Sequence, residues 1–539
     1  MPKQVYYDDE ARARVLGGAK ALYDAVKVTF GPKGRNVIIE KSYGAPTITH
    51  DGVTVAEAID IEKADETMGY QVGARLIREA ATKLNKIAGD GTTTVTVLTY
   101  QILEQAHKLI AAGYNPMELR KGIEQAGAEI IKGIEKATEN IDGKSDRIVE
   151  VATISAGDEQ IGKLIADTIA KIGKDGVVTV EAGQSLEMQS EVVEGFSYDK
   201  GYSSPFFVTD PQRQEAIFEK PSILITDRKI SAVNDLLPLL EKLAQTGQKD
   251  LVIIAEEVDG EALSVLILNK LKGVFNTLVL KAPAFGDRRK EIMSDIAILT
   301  GAQLVSADQG LNLEEIGPEV LGRAHKIIAT KDETTIIQGA GAAKDVKTRI
   351  DFIKNLATLA TSDYEREQLD KRAAALLGKV AVIKVGGATE TEIDEKKFRV
   401  DDAVAATKAA LADGIVPGGG VTLVNLAQKL KDTDPGARIV KQALKMPFIH
   451  ITDNAGLNSS ALLAEVEKAP LGHGVNVMTP EKGIVDLKKA GVIDPARVTK
   501  EAVKNSVSIA ATAITMGALM VDLPEPEQPP MPGGGMGMY

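Results

Sequence analysis

The residues best suited to chemistry lie in one short run, AGDGTTT (88–94), followed by VTVLTYQILEQAHKLIAA. The apolar spacing after the run is helical, which puts Gly89, Asp90, Gly91, Thr92, Thr93 and Thr94 at a helix N-terminus. Unpaired N–H groups and the positive end of the helix dipole favour an anion there. Glycines let the backbone approach phosphate oxygens, and three hydroxyls add donors. An acidic residue inside an anion site is repulsive unless a divalent cation lies between, so Asp90 reads as a magnesium ligand. A plainer reading stands beside this one: Asp is a good N-cap, and the run then does no more than start a helix. Consecutive threonines are poor helix formers, and the residues alone leave both readings open.

Two further features share this character more weakly. Gly418, Gly419 and Gly420 precede the helical run VTLVNLAQKL, whereas GPKG (31–34) reads as a plain turn. Asp401 and Asp402 fall on a helical pattern and can be separated by their neighbours. Asp401 shares a face with Lys397 and Lys408, so it belongs to a solvated, ion-paired surface. Asp402 lies beside Phe398, Ala405, Ala406 and Ala409, where a bare carboxylate is costly. Such a residue meets a water, a metal or another domain, or else it is a half-exposed carboxylate at a domain edge.

Other chemistries are set aside on their motifs. TISAG (153–157) lacks the first glycine of a hydrolase nucleophile elbow. TENIDGKS (138–145) has Thr where a Walker A loop needs its leading glycine, and GAGAAK (339–344) fails the dinucleotide fingerprint. The 5 histidines, His50, His107, His325, His450 and His473, are scattered without zinc-ligand spacing. With no Cys there is no disulfide framework, thiolate nucleophile or zinc–sulfur site, which fits a reducing compartment.

The elements that must position these residues occupy 539 residues, a length for about three or four domains. A composition of 44% hydrophobic and 26% charged residues is that of a foldable chain, and a net charge of −12 argues against general nucleic-acid binding. The region up to about Lys136 is mostly helical with one short strand, NVIIE (36–40). Strand-like runs GVVTVE, ILIT, LVIIAEE, TLVLKAP and VAVIKVGG alternate with amphipathic helices in the middle, an α/β pattern. From Asp401 the chain is helical again, ending on strand-like MVDLP (520–524). The apolar stretch 507–521 is broken by Ser and Thr and reads as a buried helix, not a membrane span. No signal-peptide core opens the chain, so a cytoplasmic location is expected. The Pro/Gly/Met tail, 525–539, is expected to be disordered.

Taken together, VKVTFGPKGRNVIIEKSYGAPTITHDGVTVA, AGDGTTTVTVL, VATISAG, GYSSPFF, IIAEEVDGEAL, KAPAFGDRRK, TSDYEREQL, VAVIKVGGATE, RVDDAVAATKAAL, GIVPGGG and AGVIDP resemble the group I chaperonins, the bacterial GroEL family, along essentially the whole chain. The resemblance implies an α/β multidomain fold: a mostly helical equatorial ATP-binding domain (1–136 and 413–524), a small α/β intermediate hinge domain (137–193 and 381–412) and an α/β apical domain (194–380). Gly195, Gly378 and Gly414 are the implied hinge glycines.

For the nucleotide pocket the resemblance implies Thr29, Phe30, Gly31, Pro32, Asp90, Gly91, Thr92, Thr93, Thr94, Ile154, Ser155, Gly418, Gly419, Gly420, Asn476, Val477, Met478, Ile493 and Asp494. Asp90 would bind Mg2+, while Thr29, His50 and Thr93 would bind K+. Asp51 and Asp402 would orient and activate the water that attacks ATP. In the apical domain Tyr202, Phe206, Phe207, Leu237, Leu240, Leu263, Ile267 and Leu268 would bind non-native polypeptides and the cochaperonin GroES, although a core role for all of them is the plain alternative. The implied function is an ATPase that drives folding in a tetradecamer of two stacked heptameric rings; a chaperonin-fold scaffold without productive cycling is the other class. His50 departs from the family's usual Lys, which makes the local charge pH-dependent. Lys379 stands where a second glycine is common, and the segments before Asp90 and after Asn476 are slightly longer than in well-known members.

Overall fold

A computed structural model describes residues 2–523, apart from 41–45, 63, 142–143, 174–175, 184, 212, 307–309, 361 and 432. The tail at 525–539 lies outside the described residues. The chain divides into two compact units, 1–170 with 180–189 and 384–539, and 171–179 with 190–383. The first takes the segments expected to be equatorial and most of those expected to be intermediate.

In the first unit, helices from both ends of the chain share one core. Leu22, Ile77, Leu98 and Ile123 from the N-terminal part pack with Val440, Ala502 and Val503 from the C-terminal part. Helix Tyr70–Ala88 shows the cause: Ala74, Ile77, Ala81, Leu84 and Ala88 recur on one face and bury it. Glycines bring it into backbone contact with helix Asp8–Val26. A Cβ on Gly73 would stand 1.8 Å from the Val15 carbonyl oxygen, and one on Gly18 only 1.7 Å from that of Tyr70. Strand Lys3–Tyr7 pairs antiparallel with Ala518–Asp522, tying the two ends together. A smaller cluster of Ile141, Val151, Ala406, Ala410, Ile415 and Ile493 lies apart from the main core.

Three expectations are corrected here. The first region holds Lys3–Tyr7 and Thr47–Thr49 as well as Val37–Ile39, so it has more than one strand. The region after Asp401 is not purely helical: Ile415–Pro417 pairs with Ile493–Pro495, and His473–Val475 with Ile484–Asp486. Such strands are too short to carry a readable period and exist only because a distant partner supplies their hydrogen bonds. The stretch 507–521 is split between helix Ala496–Ala513 and strand Ala518–Asp522. No helix of the described residues is long and apolar enough to cross a membrane.

The second unit is built on a sheet whose order runs Lys379–Val385, Gln189–Tyr198, Thr334–Gly339, Gly322–Ala329, Ser222–Ile230, Asp250–Val258, Asn276–Lys281, with Ala216–Glu219 also paired to Gly322–Ala329. The last three strands are parallel, in register at Ile223, Val252 and Leu278. Their cores are continuous apolar runs, as sequence reading expected, because both faces of a parallel strand are covered. Gln189–Tyr198, Gly322–Ala329 and Thr334–Gly339 escaped notice because charged and polar residues interrupt them. The candidate hinge glycines Gly195 and Gly378 are joined by a hydrogen bond from the Gly195 amide to the Gly378 carbonyl, 3.1 Å.

The crossing at Gly73 can be tested directly. Gly73→Ala should destabilise the protein by about 1–3 kcal/mol through overpacking, read as a lower denaturant midpoint. An unchanged midpoint would show that the two helices do not touch along this line.

Candidate functional site

The site is assembled wholly within the first unit. Helix Thr92–Ala111 begins on Gly91, which holds a left-handed φ of 86° and contributes no side-chain cap. Asp90 is therefore not the cap. One of its oxygens accepts from the Gly91 amide, and the other accepts the Ser155 hydroxyl at 2.9 Å. Burial and the charge of Asp51 raise its carboxyl above the usual range, against these hydrogen bonds.

Asp402 reaches the same loop from helix Glu390–Asp413. Gly89 makes this possible, because a Cβ there would stand 2.0 Å from Cβ of Ala405, one helical turn beyond Asp402. The apolar face read from the sequence is thus the face that packs on the Gly-Asp-Gly loop. Asp402 keeps partial solvent access, yet burial, with the charges of Asp51, Asp90 and Asp401, pushes its carboxyl well above the usual carboxylate range.

Asp51 is held rigidly as the N-cap of helix Gly52–Ala58. It accepts from the amides of Val53 at 3.1 Å and Thr54 at 2.8 Å, and from the Thr54 hydroxyl at 2.7 Å. Gly52 was missed by sequence reasoning. A Cβ there would lie 2.6 Å from Thr93 Oγ1 and 2.9 Å from Thr92 Oγ1, so it seats the Asp51 turn against the threonines. The available signal was a glycine directly after an N-cap residue, inside a helix that gains nothing from it.

Thr29 is buried, with its hydroxyl donating to the Val26 carbonyl at 2.9 Å and standing 3.4 Å from Thr93 Oγ1. Residues 31–34 form the expected turn, closed by the Gly34 amide on the Gly31 carbonyl at 2.9 Å. The carbonyls of Lys27, Val28, Phe30 and Gly31 all accept hydrogen bonds, whereas that of Thr29 accepts none among the described residues. This oxygen and the two hydroxyls suit the potassium ion expected there. His50 sits beside the turn; burial and the Arg399 guanidinium push its imidazole below its usual pKa, so it is mostly neutral at pH 7.

The second glycine run follows a short strand pair. Strand Ile415–Pro417 pairs with Ile493–Pro495, setting Asp494 opposite Val416 and Ile493 opposite Pro417. Gly418 is buried, and a Cβ on it would lie 2.8 Å from Asp494 Oδ1. Gly419 and Gly420 take left-handed φ values of 62° and 76°, and Gly420 opens helix Val421–Ala427 without a side-chain cap. Burial and the Asp90 charge push Asp494 up to about 7. The remaining residues are less engaged. Phe30 packs on the helical core, Pro32 is exposed, and Ile154 lies exposed on the last turn of helix Ser145–Ala156. Asn476, Val477 and Met478 form a local turn in which the Met478 amide donates to Asn476 Oδ1 at 3.0 Å; Val477 is buried and Met478 exposed.

Among the described residues no three His, Asp or Glu side chains stand close enough to hold a metal by themselves. Magnesium ordinarily takes one or two carboxylates and draws its other ligands from water and substrate phosphates, so Asp90 fits it chemically.

In the second unit the apolar candidates separate. Phe206 (62% exposed), Leu237 (43%) and Leu268 (49%) are open to solvent, and Leu263 and Ile267 are half-buried. Tyr202, Phe207 and Leu240 are core residues, so their expected place on an open binding surface is corrected. Neighbours in the short helical turn Pro205–Phe207 point to opposite sides, which composition cannot reveal.

A model of the TCP-1/cpn60 chaperonin family matches residues 22–523. The chain belongs to that family. Its fold is similar to a crystal structure of the chaperonin gp146 from the bacteriophage EL 2 (Pseudomonas aeruginosa), determined in the presence of ATP-BeFx, with a TM-score of 0.67 and 24% identity over 96% of this chain and 99% of that one. At this identity the likeness shows the fold. The expected group I chaperonin type and GroEL-like α/β multidomain architecture are borne out, and a chaperone-type role follows. Family members are ATPases, and membership implies ring assembly and substrate binding.

Asp494 offers a pH test. Its folded-state pKa of about 7 lies above the ordinary 3.8, so the folded chain holds an extra proton between those values and loses stability as pH rises through them. Asp494→Asn cannot ionise, so its gain in melting temperature over wild type should be larger at pH 8 than at pH 5. An equal difference at both pH values would refute a buried charge at this position.

Proposed function

We propose that this chaperonin is an ATP-driven folding machine of the cytoplasm. In this reading it binds non-native polypeptides and, with GroES, encloses them in the cavity of a tetradecamer of two stacked heptameric rings. The observation that carries it is the convergence of Asp402, Asp51 and Asp90 on a glycine turn at an uncapped helix N-terminus. Carboxylates that repel one another beside unpaired amides make sense when phosphates and cations come between them.

Nucleotide hydrolysis here rests on positioning and electrostatics. The amides and hydroxyls of Thr92, Thr93 and Thr94, with the turn at Gly418, Gly419 and Gly420, cradle the phosphates. Asp90 holds magnesium, which when bound neutralises developing phosphate charge; Thr29 and Thr93, with backbone at His50, hold potassium. Asp402, with its raised pKa, accepts a proton from the attacking water, and Asp51, fixed by three donors, orients that water. Gly195, Gly378 and Gly414 serve as hinge points. On the apical side, Phe206, Leu237 and Leu268 supply exposed apolar area, with Leu263 and Ile267 beneath them. Such a surface has no directional polar requirement, so it takes many unfolded chains and few folded ones.

Refolding of an aggregation-prone client with MgATP and GroES tests the reading. Asp402→Ala should lower ATP turnover by roughly 10²-fold and stall refolding while leaving client capture intact. Equal turnover in both proteins would remove Asp402 from catalysis, and protection from aggregation without any nucleotide effect would favour a passive scaffold. Separately, Phe206→Ser with Leu268→Ser should weaken client capture and spare ATP turnover, since each lost side chain gives up about 1.5–3 kcal/mol of burial. Full capture by the double variant would place the binding surface elsewhere.

A further inference from the structure

The helix Met446–Asn454 touches two glycine turns of the site, those at Gly31 and Gly420, although none of its residues was assigned to it. At its start, a Cβ on Gly420 would stand 2.7 Å from the Phe448 amide nitrogen, so no side chain fits between this helix and the second glycine run. Phe448 itself is buried with Val421 and Val424, locking the helix to the element that the run opens. Farther along, a Cβ on Gly31 would lie 3.2 Å from Cγ1 and Cγ2 of Ile451. At the C-terminal end, Asn454 Nδ2 donates to the Lys27 carbonyl at 3.0 Å and the Phe30 carbonyl at 2.9 Å. Both partners are acceptors, so only the amide NH2 can serve, and its two hydrogens take the two carbonyls that bracket Thr29. His450 pins the same face to helix Asp8–Val26 through a 2.7 Å hydrogen bond between Nε2 and the Tyr23 hydroxyl. His450, Ile451 and Asn454 share one side of the helix by their spacing.

We propose that helix Met446–Asn454 is a strut that sets the separation of the turn at residues 31–34 from the turn at residues 418–420, and that Asn454 is a positioning residue for nucleotide binding. The role rests on the ATP site proposed above. By drawing the Lys27 and Phe30 carbonyls to itself, Asn454 leaves the Thr29 carbonyl as the free oxygen of the turn among the described residues, beside the Thr29 and Thr93 hydroxyls. Asn454 touches no reacting atom, so it acts on affinity and not on the chemical step.

Asn454→Asp keeps the shape and removes the donors. It should raise KM for MgATP about tenfold, the loss expected from two hydrogen bonds of ordinary strength, with kcat within about twofold of wild type. The Gly34 and Arg35 amides, which bond to the Gly31 and Val28 carbonyls inside the turn, should exchange hydrogen faster in the variant with or without nucleotide. Asn454→Ser, with one donor, should fall between. The control is Asn458→Ala, which removes a cap bond to the Ala461 amide in the next helix and should leave KM unchanged. Wild-type KM and wild-type exchange at Gly34 and Arg35 in Asn454→Asp would overturn the proposal, as would a fall in kcat at constant KM or an equal KM rise in Asn458→Ala. If the wild type neither binds nor hydrolyses MgATP, the ATPase reading fails, and the exchange measurement still judges the strut.

Discussion

Mutual repulsion among Asp51, Asp90, Asp402 and Asp494 is the constraint around which the first unit is arranged. Burial raises the proton affinity of Asp90, Asp402 and Asp494; the charge of Asp51 adds to it at Asp90 and Asp402, and that of Asp90 adds to it at Asp402 and Asp494. Each carboxylate must be fixed by something other than its neighbours. Asp51 is fixed by an N-cap, Asp90 by the Gly91 amide and Ser155, Asp494 by a strand pairing, and Asp402 by the packing of its helix on Gly89. Glycine recurs at these points because each is a close approach: Gly52 to the threonines, Gly89 to Ala405, Gly418 to Asp494. A methyl group at any of them would push a carboxylate out of place.

A similar tension shapes the second unit. The apolar surface proposed to capture unfolded chains must stay exposed, yet the sheet beneath needs apolar residues for its own core. The chain meets both needs inside one short turn, with Phe207 fully buried and Phe206 mostly exposed. Lys270 supports this turn from helix Gly260–Leu271, donating to the Phe207 carbonyl at 2.6 Å. Burial pushes its ammonium down to about 8, with no carboxylate among the described residues paired to it.

Much of the site was legible in the residues. AGDGTTT announced a glycine-rich helix start, and the helical neighbours of Asp402 announced a carboxylate that had to meet another element. Both are local patterns, carried by spacing within a turn or two. Gly52 and Asn454 were not legible, because their importance lies in what approaches them. The hydrogen bond from Asn454 to Phe30 spans 424 positions in the chain, and nothing near either residue marks it. Three-residue strands were missed for the same reason, since their pairing partners are remote.

By itself, then, the sequence determined the helices with a clear apolar face, the buried parallel strands, the family and the residues with the chemistry for phosphate and cations. These follow from local periodicity and residue type, which persist whatever the chain packs against. Tertiary structure decided which carboxylates stand near enough to repel one another, which of two adjacent phenylalanines faces water, and which turns share a supporting helix. Those depend on distances between segments far apart in the chain, and such distances arise only when each unit closes on its own core.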